Sequence, residues 1–211
     1  PHPDVQAEAC MTGLRSIWSR RTSARLAAAL LATTALLVSA CSVFSTRDPE
    51  PPLTGSGSFI QPDTPEQVVD NVTGAVADMN TLNYRRSFGE DFEFQPTAAA
   101  AAREPVFASW SRSQEEQYFS ALAAAAELST GHSLQLNDRS FTLISPTRFE
   151  LDATYRLIVN HRRSEAPTDV QGRLQWIVEQ RADGLWEITA WTDREIGSVA
   201  SWSDLKAEFL K

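Results

Sequence analysis

The side chains of this chain that could do chemistry are few. Asp152, Tyr155 and Asp193 fall in segments of strand-like alternation, where an inward carboxylate beside a phenol could take up and return a proton. Asp152, however, alternates with Phe149, Leu151, Ala153, Tyr155, Leu157 and Val159, so it is expected to point away from the apolar face. Asp193 lies at a strand end beside Arg194, where a solvated carboxylate is expected. His132 follows Gly131 at a turn, and His161 opens the basic run His161-Arg162-Arg163, which reads as a solvated hairpin tip. No histidine stands at metal-ligand spacing to another histidine or a cysteine, so no metal is expected. There is no G-x-S-x-G elbow, no phosphate-cradling glycine loop and no H-E-x-x-H, and no cofactor is implied.

The two thiols are Cys10 and Cys41, and Cys41 has a distinctive setting. Ahead of it come a basic stretch with Arg15, Arg20, Arg21 and Arg25, an apolar run from Leu26 to Val38, and the small residues Ser39 and Ala40. That is the order of a secretory signal peptide. The run Leu37-Val38-Ser39-Ala40-Cys41 resembles the lipobox of bacterial lipoproteins. The resemblance implies diacylation (palmitate being the usual label) of the Cys41 sulfur, cleavage before Cys41, and attachment of the product to a membrane. Two or more acyl chains make a stable anchor where one does not. Ser42, rather than an aspartate, follows the cysteine; by resemblance to sorted lipoproteins this implies the outer membrane, facing the periplasm, in a cell that has one. The uncharged run Leu26–Thr46 is also long enough for an uncleaved spanning helix. Its Thr33, Thr34, Ser39, Ser42 and Ser45 make it weakly apolar for that role.

Organisation follows from this reading. Residues 1–10 precede Met11 and are expected to be a mis-called start or a leader; 11–40 are the signal peptide. Residues 41–63 are a lipidated tether rich in Pro, Gly and Ser, a spacer of roughly 25 Å as a coil. The exported domain is 64–211. Of the 19 basic and 27 acidic side chains, residues 1–40 hold four and two, so the remainder carries a net charge of −10. Such a domain repels polyanions, and no nucleic-acid partner is expected. Free of cysteine beyond Cys41, it must be stable by packing alone.

The domain opens with Thr64-Pro65-Glu66-Gln67, an N-cap, a proline at the first helical position and a capping-box glutamine. Val68, Val69, Val72, Ala75, Val76 and Met79 then form one stripe, predicting a helix over 65–79. A shorter helical segment, Leu82 to Phe88, leads to a small strand at Phe92-Glu93-Phe94. Ala98 to Ala102 reads as an inserted loop, and Ser113-Gln114-Glu115-Glu116 as a capping box opening a helix to about Glu127, with Tyr118, Phe119 and Leu122 inward. After Gly131 the period changes to two. Strands are predicted over 134–143 and 149–159, around Leu174, Trp176 and Val178, and from Leu185 to Asp193 after the turn Asp183-Gly184, before a helix near 203–209. Helices followed by a strand meander imply an α+β fold.

Several of these stretches resemble the NTF2-like (cystatin-like) superfamily, specifically small bacterial NTF2-like lipoproteins: Thr64-Pro65-Glu66, Asp91-Phe92-Glu93-Phe94, Ser113-Gln114-Glu115-Glu116, the run from Trp186 to Asp193, and Trp202-Ser203-Asp204-Leu205-Lys206. The resemblance spans 64–211 and implies a cone: a curved antiparallel sheet packed on N-terminal helices. It implies little about activity, since the superfamily holds both binding proteins and enzymes of the isomerase and cyclase type.

Trp176, Trp186, Trp191 and Trp202 crowd the C-terminal region. Trp186 and Trp191 are an odd number apart, so on a regular strand they face opposite sides. Tyr155, Trp176, Trp191 and Asp193 are therefore the candidates for an aromatic pocket or patch. The expected function is non-enzymatic binding of a partner protein or a small apolar ligand at the membrane. The alternatives are an isomerase or cyclase using a cone carboxylate, and a structural subunit that forms a homodimer.

Overall fold

The computed structural model describes residues 59–211. Cys41, the signal segment and the tether up to residue 58 lie outside the described residues. The elements, in chain order, are α1 (Pro65–Ala77), α2 (Thr81–Arg86), β1 (Phe88–Gln95), α3 (Ala98–Arg103), a 3-10 turn (Pro105–Ala108), α4 (Arg112–Ala125), β2 (His132–Ser145), β3 (Arg148–Val159), β4 (Asp169–Gln180), β5 (Trp186–Glu195) and α5 (Trp202–Leu210).

The strands form one sheet in the order β1-β5-β4-β3-β2. Neighbours among β2 to β5 are antiparallel, as expected, whereas β1 joins β5 in parallel. The sheet is therefore mixed. A parallel partner needs a long connection, which the helices and three intervening strands supply. α1 touches both β2, at one edge, and β5, three strands away, so the sheet curls round the helix as a cone. Irregularities in β1, β2 and β5 provide the bending. Inside, Val68, Val72, Ala75 and Val76 of α1 share one buried core with Leu151, Ala153 and Leu157 of β3 and Leu174, Trp176 and Val178 of β4. Among the described residues no helix is long and apolar enough to cross a membrane.

Four local features depart from the sequence reading. Ala98–Arg103 is a helix, not a loop: alanine has the highest helix propensity, and the Thr97 hydroxyl caps it by accepting from Ala100 N (3.2 Å). The cap of α4 is Ser111 with Gln114, two residues ahead of the expected box, which leaves Glu115 free to turn inward. The folded domain begins before Thr64. Asn71 accepts from Ile60 N (2.8 Å) and donates to Ile60 O (2.6 Å), while Pro62 O accepts from Trp186 N (2.9 Å), so residues 60–62 are strapped to α1 and β5. Finally, Trp186 and Trp191 are both buried on one face. The pairing with β4 skips Thr189, because Ala190 lies opposite Ile177 and Ile188 opposite Val178. That one-residue bulge cancels the odd spacing.

One glycine shows how closely the cone is packed. Gly172 of β4 lies opposite Tyr155 of β3, and a Cβ there would meet Tyr155 Oη at 2.5 Å and the backbone oxygen of Arg194 at 2.7 Å. Because that carbonyl cannot move away, Gly172→Ala is expected to destabilise the domain by about 1–3 kcal/mol in urea denaturation, whereas Gly74→Ala, where a Cβ meets nothing, should not.

Candidate functional site

The interior of the cone is built around two buried polar clusters that share a set of aromatic rings. The first centres on Asp193, which the sequence reading places in solvent at a strand end. It is instead 2% exposed. The reason is α5. Asp193 Oδ2 accepts from Ser203 N (2.8 Å) and Ser203 Oγ (2.6 Å), so the carboxylate satisfies the first turn of that helix. Its Oδ1 accepts from the Tyr155 hydroxyl (2.8 Å), whose oxygen in turn accepts from Trp202 N (2.7 Å). Burial raises the Asp193 carboxyl above the usual carboxylate range, against the hydrogen bonds from Ser203 and Tyr155. Burial, then the charge of Asp193, drives the Tyr155 phenol far up, so it stays a donor.

Trp202 links this cluster to the rest. Its ring lies 4.5 Å from Trp191 and 5.5 Å from Tyr155, and Trp176 lies 5.5 Å from Trp191, all edge to face. Tyr155, Trp176, Trp191 and Asp193 thus do come together, but as close-packed core. Asp152 points outward to Arg173 (2.5 Å), as its alternation requires.

The second cluster was not singled out in the sequence. Lys206 of α5 is 0% exposed and donates to Glu115 Oε2 (2.5 Å), itself 1% exposed. The same carboxylate accepts from Trp110 Nε1 at Oε2 (2.8 Å) and from the Tyr84 hydroxyl at Oε1 (2.6 Å). The ammonium lies 3.7 Å from the ring centroids of both Phe94 and Trp191, with Trp110 and Tyr118 at 5.4 and 5.5 Å. Burial lowers Lys206 to about 8 even with Glu115 pulling it the other way. Burial and then Glu115 raise Tyr84 and Tyr118 well above the ordinary phenol value. A faint signal for Lys206 existed: Trp202, Leu205, Lys206 and Phe209 stand at helical spacing, which puts a lysine on the apolar stripe.

The His161-Arg162-Arg163 run lies in the loop between β3 and β4, with both arginines exposed as expected and only His161 buried. Arg162 donates to Ala124 O (3.1 Å), the Arg163 guanidinium lies 4.5 Å over Phe209, and the His161 ring packs 5.1 Å from the same phenylalanine. His132 and His161 are each 9% exposed, and burial lowers His132 below the usual imidazole value. Among the described residues no group of three His, Cys, Asp or Glu side chains could hold a metal ion.

Open space lies outside the cone. A cleft of about 830 Å³ runs over β1 and β5, with Phe59 and Trp186 as apolar wall and Arg86, Asp91, Glu93 and Glu187 among its charged rim. Burial raises the Glu187 carboxyl there, opposed by Arg181 and Arg112. The outer face of the sheet is crossed by ion pairs, Arg148–Glu179 (3.1 Å), Arg156–Asp169 (2.6 Å) and Arg173–Asp152. Such exposed pairs stabilise little, and beside them Leu143 and Ile144 of β2 stand exposed.

No protein-family model matches the chain, and no curated protein does. Solved structures do match its fold. One from Novosphingobium aromaticivorans, provisionally named an aromatic ring hydroxylase, is 14% identical, with a TM-score of 0.51 over 67% of this chain and 92% of that one. An NTF2-like protein from Cytophaga hutchinsonii is 13% identical (TM-score 0.46, 62% and 94% covered), and an NTF2-like superfamily protein from Salmonella enterica is 9% identical (TM-score 0.48, 63% and 89% covered). At these identities the likeness concerns the fold alone. The fold is an α+β cone, a curved mixed sheet closed round a helix.

Leaving one partner of a buried ion pair uncompensated costs about 3–5 kcal/mol. Lys206→Met is therefore expected to lower stability by about that much near neutral pH, with Lys206→Met/Glu115→Leu recovering much of it. A pH effect accompanies this. The folded value of Lys206 lies below its ordinary 10.5, so between about pH 8 and that value the unfolded chain holds the extra proton, and stability rises with pH. Below about pH 8 the cost of the buried charge is fully present. Urea denaturation at about pH 7 and about pH 9.5 should show this rise in the wild type and lose it in Lys206→Met.

Proposed function

We propose that the protein is a membrane-tethered lipoprotein of the bacterial envelope whose NTF2-like domain works by binding a partner protein rather than by catalysis. The observation that carries this reading is the filled cone. Glu115, Lys206, Trp110, Tyr118, Trp191 and Trp202 occupy the space where a substrate or apolar ligand would lie. A catalytic Asp193 would need a free oxygen facing substrate, and both of its oxygens are engaged by Tyr155 and Ser203. Binding is then a matter for the outer surface, where the cleft over β1 and β5 sets the Phe59 ring among charges of both signs. Charges of both signs fix the register of a polypeptide partner better than they attract an ion of one sign.

The cleft also lies close to the tether. Phe59, which stacks under Arg86 at 5.5 Å, and Pro62 are among its lining residues, and only 17 residues, 42–58, separate Phe59 from Cys41. A domain held in this way meets its partner beside the membrane surface.

Two measurements test the reading. Cys41→Ala should abolish palmitate labelling and move the protein from the membrane to the soluble fraction; unchanged attachment would contradict the anchor. A photo-crosslinking residue in place of Asp91, in the cleft, should yield a discrete protein adduct in cells that the same residue at Gln171, on the sheet face, does not. Equal adducts from both positions would contradict a role for the cleft.

A further inference from the structure

Lys206 sits in surroundings that are hard to explain by stability alone. Removing an ammonium from water costs several kcal/mol, and exchanging a buried pair for apolar side chains is often neutral or favourable. The lowered proton affinity of Lys206 has the same origin: burial outweighs the pull of Glu115. What surrounds Nζ is the equipment with which proteins recognise organic ammonium ions. Two rings stand at 3.7 Å, two more within 5.5 Å, and one carboxylate accepts a hydrogen bond. The Trp191 indole N–H in this wall has no hydrogen-bond partner.

The walls of this cage do not come from the helix that carries the lysine. Phe94 belongs to β1, Trp110 to the segment before α4, Glu115 and Tyr118 to α4, and Trp191 to β5. Glu115 is also oriented independently of Lys206, by Tyr84 and Trp110. α5, by contrast, follows an exposed segment, residues 194–199, in which Gly197 has φ +63. The cage and its occupant are therefore separate parts, joined by the docking of one short helix.

We propose that the cone contains an ammonium-recognition cage, formed by Phe94, Trp110, Glu115, Tyr118 and Trp191, whose resident ligand is the chain's own Lys206 and which takes a small alkylammonium ion when α5 is withdrawn. Lys206 is then a tethered ligand that keeps the cage closed, and a free amine competes with it. This role is separate from the outer cleft, and neither depends on the other.

The test uses the full chain with Lys206→Ala and n-butylammonium chloride, which replaces the deleted atoms, against 1-butanol as the neutral isostere and sodium chloride as the ionic control. Butylammonium is expected to raise the Tm saturably and to change tryptophan fluorescence at a concentration about tenfold lower than butanol, a ratio set by the cation's extra attraction to desolvated rings. If Lys206→Ala does not fold unaided, recovery of its near-UV circular dichroism with butylammonium and not with butanol reads the same selectivity. Lys206→Met, which fills the space without charge, should show no response. In the wild type, butylammonium should speed hydrogen exchange at the amides of α5 while those of β3 and β4 stay protected. Equal effects of butanol and butylammonium, no saturable response in Lys206→Ala, or unchanged exchange of α5 in the wild type would each overturn the proposal.

Discussion

A desolvated ammonium must be surrounded, and four separate segments of this domain surround Lys206. β1 contributes Phe94, β5 contributes Trp191, and α4 contributes Glu115 and Tyr118. α2 holds Glu115 in place through the Tyr84 hydroxyl. Were Glu115 to turn outward, the lysine would be left as a bare charge in a medium that cannot solvate it. The position of α4 against the sheet is thus fixed by one charge as well as by its apolar side. The same charge requires that β1 pair with β5, because Phe94 and Trp191, which share that register, form two sides of its enclosure.

The start of α5 is fixed by a different polar contact. Asp193 receives the first turn of the helix, and Tyr155, lying across Gly172, steadies both the carboxylate and the Trp202 amide. α5 therefore enters the cone with its first turn tied to β3 and β5 and its second turn tied to α4. Trp202 and Trp191 fill the space between the two clusters. Polar specificity of this kind is expensive if incomplete, yet the charged oxygens of both carboxylates are engaged. A cone furnished in this way is a closed core, and this moves the search for function to its outer surface and to the conditions under which α5 could leave.

Much of the fold was legible in the chain. Thr64, Pro65 and Gln67 mark the start of α1, the alternation from Phe149 to Val159 gives β3 and its inward face, and Asp183-Gly184 marks the β4–β5 turn, where Gly184 takes φ +89. What was not legible depends on pairing between distant segments. The bulge at Thr189 that brings Trp186 and Trp191 to one side exists only against β4. The direction of β1 is set by β5, nearly a hundred residues later. Asp193 looks like a strand-end carboxylate until α5 covers it, and Glu115 looks like a surface residue of a capping box until Lys206 arrives from 91 positions away. Charged residues are read as solvated by default, and only tertiary structure reveals the exceptions.

The chain contains two lysines, Lys206 in the cone and Lys211 in solvent, so the central claim can be read from two resonances. The most direct measurement is the side-chain amine spectrum of lysine-labelled protein, followed by nitrogen NMR through a pH titration. The account predicts one signal strongly shifted by ring currents, slow to exchange with water and titrating at about 8, and a second with the behaviour of an exposed lysine. Two signals that exchange and titrate alike would mean that Lys206 is hydrated, and would contradict the closed, charge-centred cone.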